Sequence, residues 1–363
     1  MNHQIEICRD DMRVKVGNIT KIRTGKLDAN ASSEDGAYPF FTCSREPLRI
    51  SSYSYDCECV LVAGNGDLNV KYYNGKFDAY QRTYIIEDNS NGKLFMPYLY
   101  LFMERYVEEL RRQAIGGVIK YIKLGNLTDA LLELPSFKEQ KSIVKILFML
   151  KNIKEQRQNQ IDKLDELIKA RFVEMFGNPI YNTHNRPTTE FINVVKMQRG
   201  FDLPVQDRQQ NGAVPVYGSN GALDHHDVAK IQGGGVITGR SGTIGKVFYT
   251  EGDYWPLNTS LFSVDTHGNN VIYLAYLLEL FDLTRFVEGT GVPTLNRNMF
   301  HNKQIIDVGI DEQIQFAEFV KQVDKSKVAK MILTVYKSIR LKEKIVEAYH
   351  TILLNSAKSL KHE

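Results

Sequence analysis

Several stretches of this chain carry residue types that enzymes use, and each lacks a part its chemistry requires. GRSGTIGK (239–246) has the glycines and lysine of a phosphate-cradling loop. Its first glycine lies one residue too far from Gly245-Lys246, and Val247 stands where a Ser or Thr would hold magnesium. VLVAGNGD (60–67) has Gly-x-Gly after a strand-like run. A cofactor loop should then open a helix, yet DLNVKYYNGKF reads as strand and turn. Asn178-Pro179-Ile180-Tyr181 lacks the second proline of the Asn-Pro-Pro-Tyr signature of amino-methyltransferases and directly follows a helical pattern, so it reads as a helix stop. His225-His226-Asp227 reads as a polar turn. Cys57 and Cys59 could share one strand face, but no CxxC pair or histidine cluster accompanies them to complete a zinc site. No Ser/His/Asp or Cys/His arrangement stands out.

The composition is that of an ordinary globular protein, with 43% apolar and 25% charged residues in 363. That length predicts two or more domains. The start, MNHQIEICRDDMRVK, is not a secretory signal, and no run approaches the roughly 18 apolar residues of a membrane span. Four cysteines (Cys8, Cys43, Cys57, Cys59) crowd into the first sixth of the chain, which fits a reduced cytoplasm better than a disulfide framework. A net charge of +3 and pI near 8.4 are mildly basic. A domain gripping nucleic acid alone would be expected above about 9.

The organising feature is a duplication. VGNITKIRTGKL (16–27) aligns with FINVVKMQRGFDL (191–203), and GAYPFFTCS (36–44) with GAVPVYGSN (212–220). VLVAGNGD aligns with VITGRSGT (236–243), GGVIKYIK (116–123) with GVPTLNRN (291–298), and KEQKSIVKIL (138–147) with DEQIQFAEFV (311–320). The blocks keep one order at shifts of 173 to 176, so the chain is two copies of one plan.

Each copy passes from short β-like runs to a helix of roughly 96–113 or its counterpart, then to a long helical pattern. Over 138–176 there is no Gly or Pro, and apolar residues recur at spacings of three and four. Gly177-Asn178-Pro179 stops it. A second such helix opens at Asp311. At 1.5 Å per residue each spans roughly 58 Å, longer than a compact domain can cover, so each predicts the other as its partner in a coiled coil. Chain order makes the pair antiparallel, with a globular domain at each end and a pseudo-two-fold axis between. Leu150, Ile153, Ile161, Leu164 and Ile168 are the expected seam on the first helix. Val328, Met331, Val335, Ile339 and Ile345 are their counterparts on the second. The polar stretch Lys154–Gln160 leaves room there for a partner protein. Double-stranded DNA matches this geometry, with two-folds in its backbone and a turn of about 34 Å.

The domain–helix–domain–helix order, VITGRSGTIGKVF (236–248), NTSLF (258–262), GTGVPTLNRN (289–298) and DEQIQFAEFV together resemble the specificity subunit of type I restriction–modification systems. The resemblance runs from Val16 to about Leu354. It is closer in the second copy, since Ile119 and Lys120 stand in place of Pro293 and Thr294. The fold it implies is α+β: two mixed α/β target-recognition domains of the same fold, separated by a pair of long antiparallel coiled-coil helices, pseudo-two-fold symmetric. The expected boundaries are 1–137 and 178–310 for the domains, 138–177 and 311–355 for the helices, and 356–363 for a polar tail. Each domain would read one half of a bipartite target in double-stranded DNA. The helices would set the spacing and dock two methyltransferase subunits that carry S-adenosylmethionine, and motor-nuclease subunits would complete the restricting complex. The chain itself would be cytoplasmic, hold no cofactor or metal and perform no chemistry. The alternative is a stand-alone sequence-specific DNA-binding protein or regulator.

Reading DNA requires backbone contacts that position the protein and side chains that reach base edges. Arg240, with Ser241 beside it on a glycine-rich loop, suits guanine, and asparagine suits adenine. Asn258, Thr259, Asn296 and Arg297 are candidates of the same kind, with Arg297 ranked below Arg240 because GTGVPTLNRN reads as a structural turn near the bound strand. Lys246, Arg199, Lys120, Lys123 and Arg112 suit phosphates, and Asn65, Tyr73, Arg82 and Arg45 complete the set in the first domain.

Overall fold

Alternation along one strand decides the first sheet. In β5 (Tyr55–Ala63), Val60 and Val62 point to one face, and Cys59 and Leu61 to the other. The computed structural model describes residues 13–209, 211–289 and 293–329. They form two units that divide inside a long helix, between Ile153 and Lys154.

In the first unit, β1 (Arg13–Lys15) leads through the helical turn α1 (Val16–Ile19) into β2 (Thr20–Thr24). With β3 (Tyr38–Phe41), β4 (Leu48–Ile50), β6 (Val70–Ala79) and β7 (Thr83–Asp88), the sheet runs β2-β7-β5-β6-β3-β4. Its pairs are antiparallel except β3 with β6. Helix α2 (Met96–Gln113) carries Pro97 in its first turn and buries Met96, Leu99, Met103, Val107 and Leu110 against the Val60–Val62 face. These spacings of three and four form one apolar stripe. Phe41, Tyr55, Phe77 and Ile85 fill the opposite face with Cys59. After α3 (Leu124–Thr128), β8 (Leu131–Glu133) returns to pair with β1. Helix α4 (Phe137–Phe176) follows and ends at Gly177, whose φ of +82° suits a helix stop.

The second unit repeats the order: β9 (Thr188–Glu190), α5 (Phe191–Val194), β10 (Lys196–Arg199), β11 (Val214–Gly218), β12 (Gly221–His226) and β13 (Gly235–Gly239). Then come β14 (Val247–Thr250), β15 (Trp255–Pro256), β16 (Ser260–Asp265), α6 (Val271–Phe281), β17 (Val287–Glu288), β18 (Thr294–Leu295), β19 (Gln304–Ile306) and the helix α7 over 310–329. Its sheets run β10-β16-β13-β14 and β12-β11-β15. This is the first unit's order, cut where the bend at 251–253 separates β14 from β15. The parallel pair recurs as β11 with β15, and β9 pairs with β19 as β1 does with β8. The isolated bridge Asn65↔Tyr121 recurs as Ser241↔Thr294. That bridge corrects the alignment by one residue, since Tyr121 rather than Lys120 takes the place of Thr294.

One polar side chain is buried at the same point of each copy. Gln140, in the first turn of α4, donates its amide to Lys93 O and Pro135 O, both at 2.8 Å, and accepts from Phe95 N at 2.7 Å. Gln313, in the first turn of α7, donates to Asn269 Oδ1 at 2.7 Å and Val308 O at 2.8 Å, and accepts from Asn270 N at 2.9 Å. Each amide ties a long helix to the loop that starts the domain's own helix.

Within the second unit, α4 and α7 run antiparallel. As α4 advances from Asp165 to Phe176, its partners on α7 recede from Lys327 to Phe316. Phe172 and Phe176 pack against Phe316 at 5.3 and 5.7 Å and against Tyr273 at 5.6 and 5.2 Å. Of the expected seam residues, Ile168 is fully buried, Leu164 packs on the same core, and Leu150, Ile153 and Ile161 are half-buried. Val328 is instead 55% exposed. The inward positions are Phe316, Val320, Val323 and Lys327, spaced four, three and four, so 328 lies one step around the helix from the seam. Met331, Val335, Ile339 and Ile345 lie outside the described residues.

Replacing Gln313 by Ala should leave a main-chain N–H and a carbonyl buried without partners, at about 1–3 kcal/mol each. The expected loss is about 3 kcal/mol, read as a fall of several degrees in Tm, with Gln140→Ala acting similarly. A substitution there that left Tm unchanged would remove the anchoring role.

Candidate nucleic-acid interface

Three arginines predicted from sequence come together in the second unit. Arg199, Arg240 and Arg297 line one open cleft of about 390 Å³ with Glu288, Thr294, Asn296 and Asn298. Arg199 closes β10, and its Nε donates to Asn258 O at 3.3 Å. Arg240 and Ser241 follow β13, and their main-chain N–H groups donate to Thr259 O at 2.9 and 3.2 Å. Arg240 O accepts from Leu295 N at 2.8 Å, which fixes this loop against β18. Gly239 makes the turn possible, since a Cβ there would lie 1.7 Å from Thr243 O. Among the described residues neither Arg240 nor Arg297 has an ion-pair partner. The cleft's carboxylate, Glu288, accepts from Asn296 Nδ2 at 3.3 Å. Guanidinium groups held by main-chain bonds and short of counter-ions suit an anionic ligand.

The other predicted residues divide by what already holds them. Asn258 donates its amide to the Asp202 carboxylate, and its main-chain N–H to Phe201 O at 2.9 Å. It therefore shapes the turn, as Thr259 does through its carbonyl, and is not free to read a base edge. Lys246 lies outside the cleft lining, with Nζ 3.2 Å from Asn220 Oδ1.

In the first unit, Arg45 is tied to Asp67 at 2.9 Å, and Arg111 reaches the same carboxylate at 3.3 Å. The Arg45 hydrogen bond, with both guanidinium charges, holds Asp67 below the usual carboxylate range. Arg112 pairs with Glu109 at 3.1 Å. Tyr73 packs its ring on Phe41 and Phe77, at 5.1 and 5.6 Å, so it is part of an aromatic cluster. Arg82, Lys120 and Lys123 are exposed, and Asn65 bridges to Tyr121.

Aligned through the bridge and the repeat, Thr24, Gly64 and Leu124 stand where the second unit has Arg199, Arg240 and Arg297. The arginine cleft thus belongs to one copy. Asp202 was not visible as the partner of Asn258 in the sequence, because nothing local marks a carboxylate that folds back from 56 residues away. Gln140 and Gln313 did leave a signal, the Glu-Gln pair at matching places of KEQ and DEQ.

On β10, Met197 N donates to His301 Nε2 at 3.2 Å. Burial, with Arg297 and Lys196 nearby, lowers its pKa, so the ring is a neutral acceptor.

The structure is thus an α+β module built twice, with each copy tied to a long helix. The chain belongs to the type I restriction modification DNA specificity domain family, whose model matches residues 10–163 and 187–334. A curated relative, the type I restriction enzyme EcoDI specificity subunit of Escherichia coli, is 38% identical over 156 residues. The match covers 43% of this chain and 34% of the relative, so the chain spans about a third of that protein's length. The fold matches the type I restriction–modification S subunit from M. genitalium with a TM-score of 0.61 at 13% identity, covering 92% of this chain and 94% of the other. A structure concerning assembly and conformational transition of the type I R-M system matches with a TM-score of 0.52 at 12% identity, covering 92% and 95%. Among the described residues no helix is long and apolar enough to cross a membrane.

A neutral buried histidine gives a pH dependence with a defined sign. Above about pH 6.5 the ring is neutral folded or unfolded, and it adds no slope. As pH falls through about 6.5 the unfolded chain takes up a proton that the folded chain does not, so stability should drop until the lowered folded pKa is reached. His301→Gln, which keeps an acceptor for Met197 N, should show a smaller fall in Tm between pH 7.5 and 5.5 than the unaltered protein. Equal falls would place the acid sensitivity elsewhere.

Proposed function

We propose that this chain is the DNA sequence-specificity subunit of a type I restriction–modification complex. Each recognition domain reads one half of a bipartite double-stranded target, and the chain leaves the chemistry to its partners. Domains over 1–137 and 178–310 would do the reading. Helices over 138–177 and 311–355 would space them and dock two methyltransferase subunits, which bind S-adenosylmethionine. Motor-nuclease subunits would join for restriction, in the cytoplasm.

The observation that carries this reading is a family module repeated with the same strand order, the same bridge and the same buried glutamine, but with different side chains at the surface. One scaffold used twice with different reading surfaces suits a target whose halves differ in sequence. In the second domain Arg240 is the leading base-reading residue, with Arg199 and Arg297 beside it, and Lys246 suits a phosphate. Asn258, Thr259 and Ser241 hold the loop that presents Arg240. In the first domain Arg82, Lys120, Lys123 and Asn65 are the free candidates, whereas Arg45, Arg112 and Tyr73 are already paired or packed. The exposed polar stretch 154–160 of α4 is open to a protein partner. A stand-alone DNA-binding regulator would have no use for that open helical surface.

Sequencing the methylome with and without the gene should reveal a split motif that disappears on deletion. An unchanged methylome in a strain with an active partner methyltransferase would defeat the reading. On a duplex carrying that motif, Arg240→Ala should cost about 1–3 kcal/mol and relax discrimination at one base pair. Lys246→Ala should instead weaken binding to all sequences and reduce the salt slope by about 1.

A further inference from the structure

We infer that the hairpin tip at Val118-Ile119 is an apolar wedge that inserts between stacked base pairs of the first half-site. This rests on reading the chain as a DNA-specificity subunit, and it names how one domain engages the duplex. Val118 is fully exposed at 103% and Ile119 is 62% exposed. Ile115, Tyr121 and Leu124 around them are exposed as well. Single surface aliphatics are ordinary, but five large apolar residues within one ten-residue run make a patch that calls for a partner.

The tip is also built to stand out. Ile115 and Tyr121 exchange main-chain hydrogen bonds of 3.0 and 2.8 Å, and Gly66 N donates to Lys120 O at 2.9 Å. Gly116 has φ +117°, and a Cβ there would lie 2.6 Å from Ile119 O, so the turn admits only glycine. The two aliphatic side chains are held away from their own domain by this backbone.

Charge selects the occupant. Residues 114–128 contain Lys120 and Lys123 and no carboxylate, which favours a polyanion. The bridge equivalence puts the hairpin beside the first unit's counterpart of the arginine cleft, where Thr24, Gly64 and Leu124 replace the second unit's three arginines. Insertion of an aliphatic side chain is a different way to engage the same ligand. Isoleucine and similar residues wedge between base steps in architectural DNA-binding proteins and kink the duplex by roughly 20–90°.

The test uses this chain assembled with its methyltransferase. The probe is a duplex carrying the split motif found by methylome sequencing, with 2-aminopurine at successive steps of both half-sites. Apart from the methylated bases, which a methyltransferase itself turns out of the stack, binding of the unaltered complex should brighten 2-aminopurine at one further step, in one half-site only. The double variant Val118→Ser, Ile119→Ser should abolish that signal and weaken binding at least tenfold with an unchanged salt slope. Lys120→Ala should keep the signal and reduce the slope by about 1. If the unaltered complex binds its motif but no step beyond the methylated bases brightens, or the double variant binds and brightens like the unaltered complex, the wedge is overturned and the specificity role stands. If the unaltered complex shows no preference for the motif, the specificity role falls. A double variant that no longer assembles with the methyltransferase would mark the tip as a protein-docking surface and overturn the wedge.

Discussion

A side-chain amide taken out of water must find partners for its polar atoms, and Gln140 and Gln313 find theirs at the point where a long helix leaves a sheet domain. Each uses three hydrogen bonds of 2.7 to 2.9 Å to tie the helix's first turn to two separate stretches of its own domain. A long helix transmits direction only if its root cannot swivel. An exposed ion pair contributes about 0–1 kcal/mol and constrains little. A buried amide with every group satisfied resists any rotation that would break even one bond, because each orphaned group costs more than the bond contributed. The same solution in both copies implies the same constraint in both.

Within the second unit the seam rests on apolar packing, with charge at its edge. Phe172, Phe176 and Phe316 are fully buried, and such residues contribute about 1.5–3 kcal/mol each. Lys327 lies where the seam loses that cover. Burial works against its charge, but the carboxylates of Asp165 and Asp324, at 2.6 and 2.9 Å, outweigh that effect and raise its pKa. The stem fills the seam while the ammonium stays paired. At the other end Arg186 holds Glu312 with two bonds of 2.8 Å and reaches Met175 O at 2.6 Å, closing the turn after α4 onto the start of α7.

The two copies have diverged where packing allows it. Glycines that let one strand cross another closely are kept: a Cβ on Gly25 would meet Ala79 O, and one on Gly200 would meet Pro256 O. The exposed surfaces differ in kind. One has three guanidinium groups around a cleft, and the other has an aliphatic tip flanked by lysines. A buried contact constrains both partners at once, whereas an exposed side chain constrains only itself, so duplication preserves the first and releases the second.

The sequence by itself determined the duplication, the long helix with its stop at Gly177, the helix over Met96–Gln113 and the glycine-rich loop that presents Arg240. These follow from residues close along the chain, whose spacing reports local backbone geometry directly. Only the tertiary structure decided the strand order, the break between β14 and β15 and the phase of α7 that turns Val328 outward and Lys327 inward. It also decided which candidates are free. Asn258 is held by Asp202, Arg45 by Asp67, and Tyr73 by Phe41, each through a partner 22 or more residues away. Composition and spacing name what a side chain could bind. Whether another part of the same chain already satisfies it depends on long-range closure, which no local pattern encodes.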